Sequence, residues 1–351
     1  MRLVTFNQSD RGPRVGALVD GDRSVVDLRL AAERSGRPAQ NFRTMLALID
    51  GGERALDDAR ALLDVDDAVV PRTEVELLAP VPVPRQMRDF LCFEQHLRNA
   101  REMRFRKMAA READPAAAFA DYVRRGVVLP PDVWYAQAIY YKCNRFSVIG
   151  TDADIRWPGY ANVLDYELEF GVFLGKGGVN ISAAKARDCI FGYTIFNDIS
   201  ARDAQSREME GQLGPAKGKD FDTGNVMGPC LVTADEIPDP HALTMTARIN
   251  GEEWTRGNSA TMHWTFEQII EFVSRDETLY PGEFLGSGTV GGGCGLELDR
   301  WLAPGDLIEL EVERIGTLRN RIVKPTVPAQ RKADALVADS DQSNKQDQAD
   351  A

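Results

Sequence analysis

The sequence predicts an α+β protein, mostly β, with a small N-terminal α/β module ahead of a larger β-rich domain. Three observations carry the prediction. From Val133 to about Val323 the chain is rich in β-branched and aromatic runs punctuated by Gly, Pro and Asp, the pattern of many short strands. Helical periodicity is concentrated elsewhere, in Ala31 to Leu63 and in the stretch after Glu94. Between these helical stretches lies Pro80-Val81-Pro82-Val83-Pro84, which favours an extended chain and a boundary. The expected division is therefore 1–79 for the small module, 80–325 for the large domain and 326–351 for a disordered tail. That tail ends SDQSNKQDQADA and carries too few apolar residues to bury a core.

Taken in order, residues 1 to about 28 form short strands, LVTF and then VGALVDGDRSVVDL, with a hairpin signal at Asp20-Gly21. The helical pattern that follows is interrupted by a turn at Asp50-Gly51-Gly52, and the module ends near Glu76. A helix is expected from Glu94, broken at Asp114-Pro115, with Arg98, Arg101, Arg104, Arg106, Lys107 and Arg111 on a mainly solvated surface. Within the β-rich part, helices are expected at Ser182 to Cys189, with Ser182 as N-cap, and at Thr265 to Val273. LELDRWL, which follows the glycines of GSGTVGGGCG, looks like a strand.

With 351 residues, 43% hydrophobic and 27% charged, the composition is that of a soluble globular protein with ample core. The formal charge of −12 argues against nucleic acid or an anionic membrane surface as partner, but not against small anions held by a cation and a few arginines. The opening MRLVTFNQSDRG is not a signal-peptide pattern, and no run is apolar enough to span a bilayer. Five scattered cysteines without a CxxC pair favour reduced thiols, hence a cytoplasmic location.

The chemistry concentrates between Leu164 and Arg202. In an extended LDYELEF, Asp165, Glu167 and Glu169 share one side, and Leu164, Tyr166, Leu168 and Phe170 the other. Asp198 stands at the end of a second apolar run, Ile190 to Phe196. Two Glu at i and i+2 plus an Asp from a neighbouring strand suit an oxygen-only site for a hard divalent cation; a solvated acidic edge is the alternative. His96 is one of three histidines and a candidate base on water, with Glu297 as the group that would orient it if the fold joins them. Arg202, Gln205, Lys217 and Lys219 supply donors from one loop-like region, suited to an oxyanion or enolate. GxGxxG at Gly286, Gly288 and Gly291 lacks the βαβ setting of a dinucleotide site, and neither a P-loop nor a GxSxG elbow is present.

Taken together, RDFLCFEQH, YYKCNRFSVIG, LDYELEF, FNDISARDAQ, LGPAKGKDF and GSGTVGGGCGLEL resemble, in this order, the fumarylacetoacetate hydrolase family over roughly Asp89 to Leu298. The resemblance implies a mixed β-roll catalytic domain, usually homodimeric, acting on a small oxo-acid substrate. It implies one divalent cation, Mg²⁺ foremost with Ca²⁺ or Mn²⁺ as alternatives, on Asp89, Glu167, Glu169 and Asp198. It makes His96 the base on water, held by Glu297, with Arg202, Gln205 and Lys219 on substrate oxygens. Tyr141 and Thr289 match substrate-contacting positions, and Arg104 or Arg106 is left as a carboxylate binder. Leu91, where a Tyr is frequent, and Cys143, where a Gly is, mark a different pocket. The expected reaction is metal-dependent hydrolysis of a carbon–carbon bond in a β-diketone or 2,4-dioxo acid, in aromatic-compound catabolism. The same scaffold hosts hydratases, isomerases and decarboxylases of 2-oxo acids, and a silent binding protein is the non-enzymatic alternative.

Overall fold

The computed structural model describes residues 1–8 and 12–324, so the tail expected at 326–351 lies outside the described residues. The chain opens with β1 (Arg2–Asn7), β2 (Pro13–Val19), β3 (Ser24–Asp27), α1 (Leu28–Arg34), α2 (Met45–Asp50), α3 (Gly52–Arg60), β4 (Val69–Pro71) and β5 (Glu76–Leu77). It continues through β6 (Met87–Phe90), α4 (Glu94–Ala109), α5 (Pro115–Arg124), α6 (Asp132–Ala136), β7 (Tyr140–Lys142), β8 (Val148–Ile149) and β9 (Asp154–Arg156). Next come β10 (Leu164–Asp165), β11 (Leu168–Leu174), α7 (Ala183–Ala186), β12 (Ile190–Asp198), β13 (Ser200–Ala201), α8 (Arg202–Glu210) and β14 (Asn225–Thr233). The last elements are β15 (Thr244–Ile249), β16 (Glu252–Asn258), α9 (Phe266–Val273), β17 (Phe284–Gly286), α10 (Gly295–Leu298), β18 (Leu307–Val312) and β19 (Gly316–Val323).

A twelve-stranded mixed sheet runs β4-β3-β2-β1-β14-β12-β11-β17-β6-β7, with β5 on β1 and β8 on β14. A five-stranded sheet, β16-β15-β18-β19-β9, stands beside it. The fold is thus the expected β-rich α+β architecture. The strands of residues 1–79 continue the large sheet: β1 pairs antiparallel with β14 through Arg2↔Val232 and Leu3↔Leu231. One face of that sheet presents Phe173, Phe191, Phe196 and Phe284 to Phe42, Leu48, Ile49 and Leu56 of the N-terminal segment. The other presents Phe170, Val172, Tyr193 and Ile195 to α9 and to Met245 and Leu310 of the smaller sheet. The alternation of apolar residues along β11 and β12 feeds both cores, which is why both strands are buried throughout.

Local signals explain several boundaries. Asp114 caps α5 by accepting from the Ala117 N–H at 3.0 Å, with Pro115 in the first turn. Thr265 and Gln268 form a reciprocal capping box at the start of α9. Three expectations are corrected. LDYELEF is not one strand: it breaks between β10 and β11, where Glu167 bridges to Cys294 and its N–H is taken by the Asn197 side chain at 3.0 Å. The helix after Ser182 is α-helical only to Ala186 and tightens into a 3₁₀ turn over Arg187–Cys189, and Ser182 makes no capping hydrogen bond with its side chain. LELDRWL is not a strand; Gly295–Leu298 forms a single helical turn, closed by Arg300 N–H on Gly295 O at 3.0 Å.

Candidate active site

Five adjacent strands of the large sheet, in the order β12-β11-β17-β6-β7, bring the acidic residues together. Asp198 ends β12, Glu169 lies near the start of β11, and Asp89 sits on β6 opposite Gly286 of β17 on one side and Tyr141 of β7 on the other. Gly286 is required by close approach, since a Cβ there would lie 2.3 Å from Asp89 Oδ1. Asp89, Glu169 and Asp198 each offer a carboxylate oxygen, and these oxygens lie within 4.8 Å of one another. All three residues are buried, and Glu169 Oε2 and Asp198 Oδ1 have no hydrogen-bond partner among the described residues.

The electrostatics follow from this crowding. Burial, then the Asp198 charge, pushes the Asp89 carboxyl up to about 8. Burial likewise lifts Asp198 to about 6, against the opposing pull of Lys219. Glu169 is driven well above the ordinary carboxylate range by burial and then by Asp89. Three buried carboxyls that repel one another, two with unpartnered oxygens, fit a hard divalent cation in the middle.

Glu167, the fourth expected ligand, is turned aside. Its Oε1 accepts from the Arg202 guanidinium at 2.8 Å, and its Oε2 from Lys219 Nζ. Burial would raise its carboxyl, but the Arg202 and Lys219 cations prevail and hold it well below the usual range. Lys219 commits its three N–H donors to Glu167, Asp198 and Ser200 Oγ, the last at 2.7 Å. Arg202 donates from Nε to Asp165 at 2.8 Å and from a terminal nitrogen to Gln205 Oε1 at 2.9 Å. Tyr141 and Thr289, expected on substrate, donate to Asp198 at 2.6 Å and to Glu169 at 3.1 Å, fixing the carboxylates. Lys217 is exposed over the Tyr160 ring, and Arg106 pairs with Glu102 on the solvated face of α4, where Arg104 is also exposed. Leu91 lies just beyond β6, and buried Cys143 just beyond β7.

His96 and Glu297, 201 residues apart, meet with Nδ1 2.7 Å from Oε1. An Nδ1–H donated to Glu297 is the tautomer that leaves Nε2 as the nitrogen able to accept a proton. Burial lowers the imidazole pKa, but the Glu297 charge and hydrogen bond and the Glu167 charge outweigh it and raise it above 6.5. The other oxygen of Glu297 accepts from Asn99 Nδ2 and the Gly292 N–H, each at 2.7 Å. Asn99 was missed by sequence reasoning, although its place one helical turn after His96 on α4 was the signal that would have found it. Ser200 and the role of Asp165 were also missed: no spacing marks Ser200, and alternation places Asp165 beside Glu167 and Glu169 without showing its partners.

Comparison with known proteins gives a consistent picture. A sequence model described as fumarylacetoacetate (FAA) hydrolase C-terminal matches residues 87–323. The oxaloacetate tautomerase Fahd2a, mitochondrial, of Rattus norvegicus is 32% identical over 325 residues, 92% of each chain. A fumarylacetoacetate hydrolase from Exiguobacterium antarcticum superposes with a TM-score of 0.68 at 25% identity, covering 93% of this chain and 100% of that one. A structure described as a probable 2-hydroxyhepta-2,4-diene-1,7-dioate isomerase from Mycobacterium abscessus gives 0.67 at 25% identity, with the same coverage.

Proposed function

Since the chain belongs to the fumarylacetoacetate hydrolase family, we propose that it is a divalent-cation-dependent enzyme of small 2-oxo acids that tautomerises the keto and enol forms of a 2-oxo dicarboxylic acid. The observation that carries this reading is the juxtaposition of two buried devices. A His–Glu pair and a three-carboxylate cradle are linked through Glu167, which is joined to Asp198 by Lys219 and interacts by charge with His96. Asp89, Glu169 and Asp198 would hold the cation, with Glu167 beside them; Mg²⁺ is the expected ion, and Ca²⁺ or Mn²⁺ suits the same oxygen donors. When bound, the cation supplies Lewis-acid polarisation of the substrate's oxo oxygen and so favours the enolate.

The chain's own residues do the rest. His96 Nε2 removes the proton whose loss forms the enolate, and returns it at the other end of the O–C–C unit, so the reaction is neutral overall. Glu297 keeps the imidazole in the required tautomer and stabilises the imidazolium between the two transfers. The Gln205 amide nitrogen, which donates to no described residue, is free to bind a substrate oxygen. Lys219 and the Arg202 groups bonded to Asp165, Glu167 and Gln205 are engaged, which leaves the Gln205 amide as the donor to that oxygen and supports a reaction that needs one mobile proton. The tautomerase relative, alike over 92% of both chains, supports the same choice.

Hydrolysis of a carbon–carbon bond in a 2,4-dioxo acid is the second reading, supported by the same His96–Glu297 pair acting on water and by the likeness to the Exiguobacterium hydrolase. Five unpaired thiols support a reducing compartment such as the cytoplasm. Following oxaloacetate enol and a small acylpyruvate by NMR separates the two. Accelerated enol-to-keto conversion with the carbon skeleton intact is the expected result; cleavage of the acylpyruvate into two acids, with oxaloacetate untouched, would replace tautomerisation by hydrolysis.

A further inference from the structure

The first acid of LDYELEF takes no part in the cation cradle. Asp165 is fully buried and ends β10, ahead of the break that separates it from Glu169 on β11. It meets backbone and guanidinium instead. Oδ1 accepts from the Gly295 N–H at 2.7 Å, and Oδ2 from the Leu296 N–H at 3.0 Å and from Arg202 Nε at 2.8 Å. Gly295 is the residue that permits this approach, because a Cβ there would stand 2.7 Å from Asp165 Oδ1 and 2.0 Å from Arg300 O.

The groups held this way lead to two parts of the site. Gly295 and Leu296 open the helical turn that carries Glu297, whose carboxylate holds His96. Arg202 spends its remaining contacts on Glu167 and Gln205, and its planar fork fixes where both lie. We propose that Asp165 is a positioning residue that ties Arg202 to the Glu297 turn, so that one buried carboxylate sets the orientation of the base's partner and of the Arg202–Gln205 arm together. The proposal rests on the reading of His96–Glu297 as the acid–base pair, but it concerns how that pair is held.

Asp165→Asn tests it. The amide keeps the size of the carboxylate but presents an NH₂ to a group that is itself a donor, so the clasp on the backbone and the bond to Arg202 cannot both survive. With three histidines in the chain, ¹⁵N-histidine labelling resolves the His96 N–H resonance, assigned by its loss in His96→Gln. The expected result in Asp165→Asn is loss or a clear upfield shift of that downfield resonance, with Mn²⁺ affinity within about threefold of the parent. An unchanged resonance overturns the proposal without reference to turnover.

Turnover supplies the second arm through a double-mutant cycle. Asp165→Asn is expected to lower kcat at least tenfold with a smaller change in KM, and the double variant with Glu297→Gln to be no slower than Glu297→Gln alone. Additive losses overturn the coupling. Full activity of Glu297→Gln together with a displaced His96 resonance in Asp165→Asn would retire the catalytic reading and leave the positioning role standing. If Asp165→Asn does not fold, Asp165→Ser replaces it; failure of both to fold overturns the proposal by making Asp165 a residue of the fold alone.

Discussion

Charge on single residues decides most of what the site can do. Asp89 is raised to about 8 and Asp198 to about 6, so at neutral pH the ion-free cluster retains protons that a cation must displace. Cation binding at pH 7 is therefore expected to release protons, with affinity rising as pH rises through 6 and 8; calorimetry in buffers of different ionisation enthalpy measures this directly. The sign for stability runs the other way. A carboxyl raised by burial favours the fold at low pH, so the ion-free protein loses stability as pH climbs from about 4 toward 8, and added Mg²⁺ restores it. On the His96 side, Glu297 outweighs the lowering effect of burial. Glu297→Gln should move the acid limb of the kcat/KM profile to lower pH while cutting the rate by about 10²-fold or more; a limb that stays in place would separate the limb from this pair. Residue types were legible in the sequence: His96, Glu169 and Asp198 stand out by kind and spacing. Their division of labour was not. Glu167 and Glu169 share a face by alternation, yet Arg202 and Lys219 claim one and leave the other to the cradle, a choice made by side chains distant in sequence.

At the level of elements, the site depends on strands meeting without side chains between them. Gly286 of β17 lies between Asp89 on β6 and Gly171 on β11. Gly286→Ala would set a methyl against the Asp89 oxygen. The expected outcome is a folded protein whose Mn²⁺ affinity falls at least tenfold, measured by electron paramagnetic resonance of free ion; unchanged affinity would show that Asp89 is not part of the cradle. The strands and the capped helices were legible because their signals are local: the Thr265–Gln268 box and Asp114-Pro115 fix helix starts within a few residues. The break in LDYELEF was not legible, since it is imposed by Asn197 and Cys294 from other segments. LELDRWL misled for a related reason. Its alternation is a strand pattern, but Asp165 takes the N–H groups of Gly295 and Leu296 and bends the chain into a turn.

For the whole molecule, the site stands where separate stretches of chain converge: residues 87–96, 141, 165–169, 198–219 and 286–297. The order of motifs pointed to the family, and the fold expected from it is the one found. What no motif could give is the joining of α4 to α10, by which His96 reaches Glu297 across 201 positions. Among the described residues no helix is long and apolar enough to cross a membrane. The proposed function requires the cation cradle and His96 to serve one reaction. It is tested most directly by the rate of oxaloacetate enol loss in protein stripped by chelator, with and without added Mg²⁺, beside His96→Gln. Mg²⁺ is expected to restore the rate, and His96→Gln to bind the cation normally while losing about 10²- to 10⁴-fold in kcat. Full turnover by the stripped protein, or by His96→Gln, would contradict it.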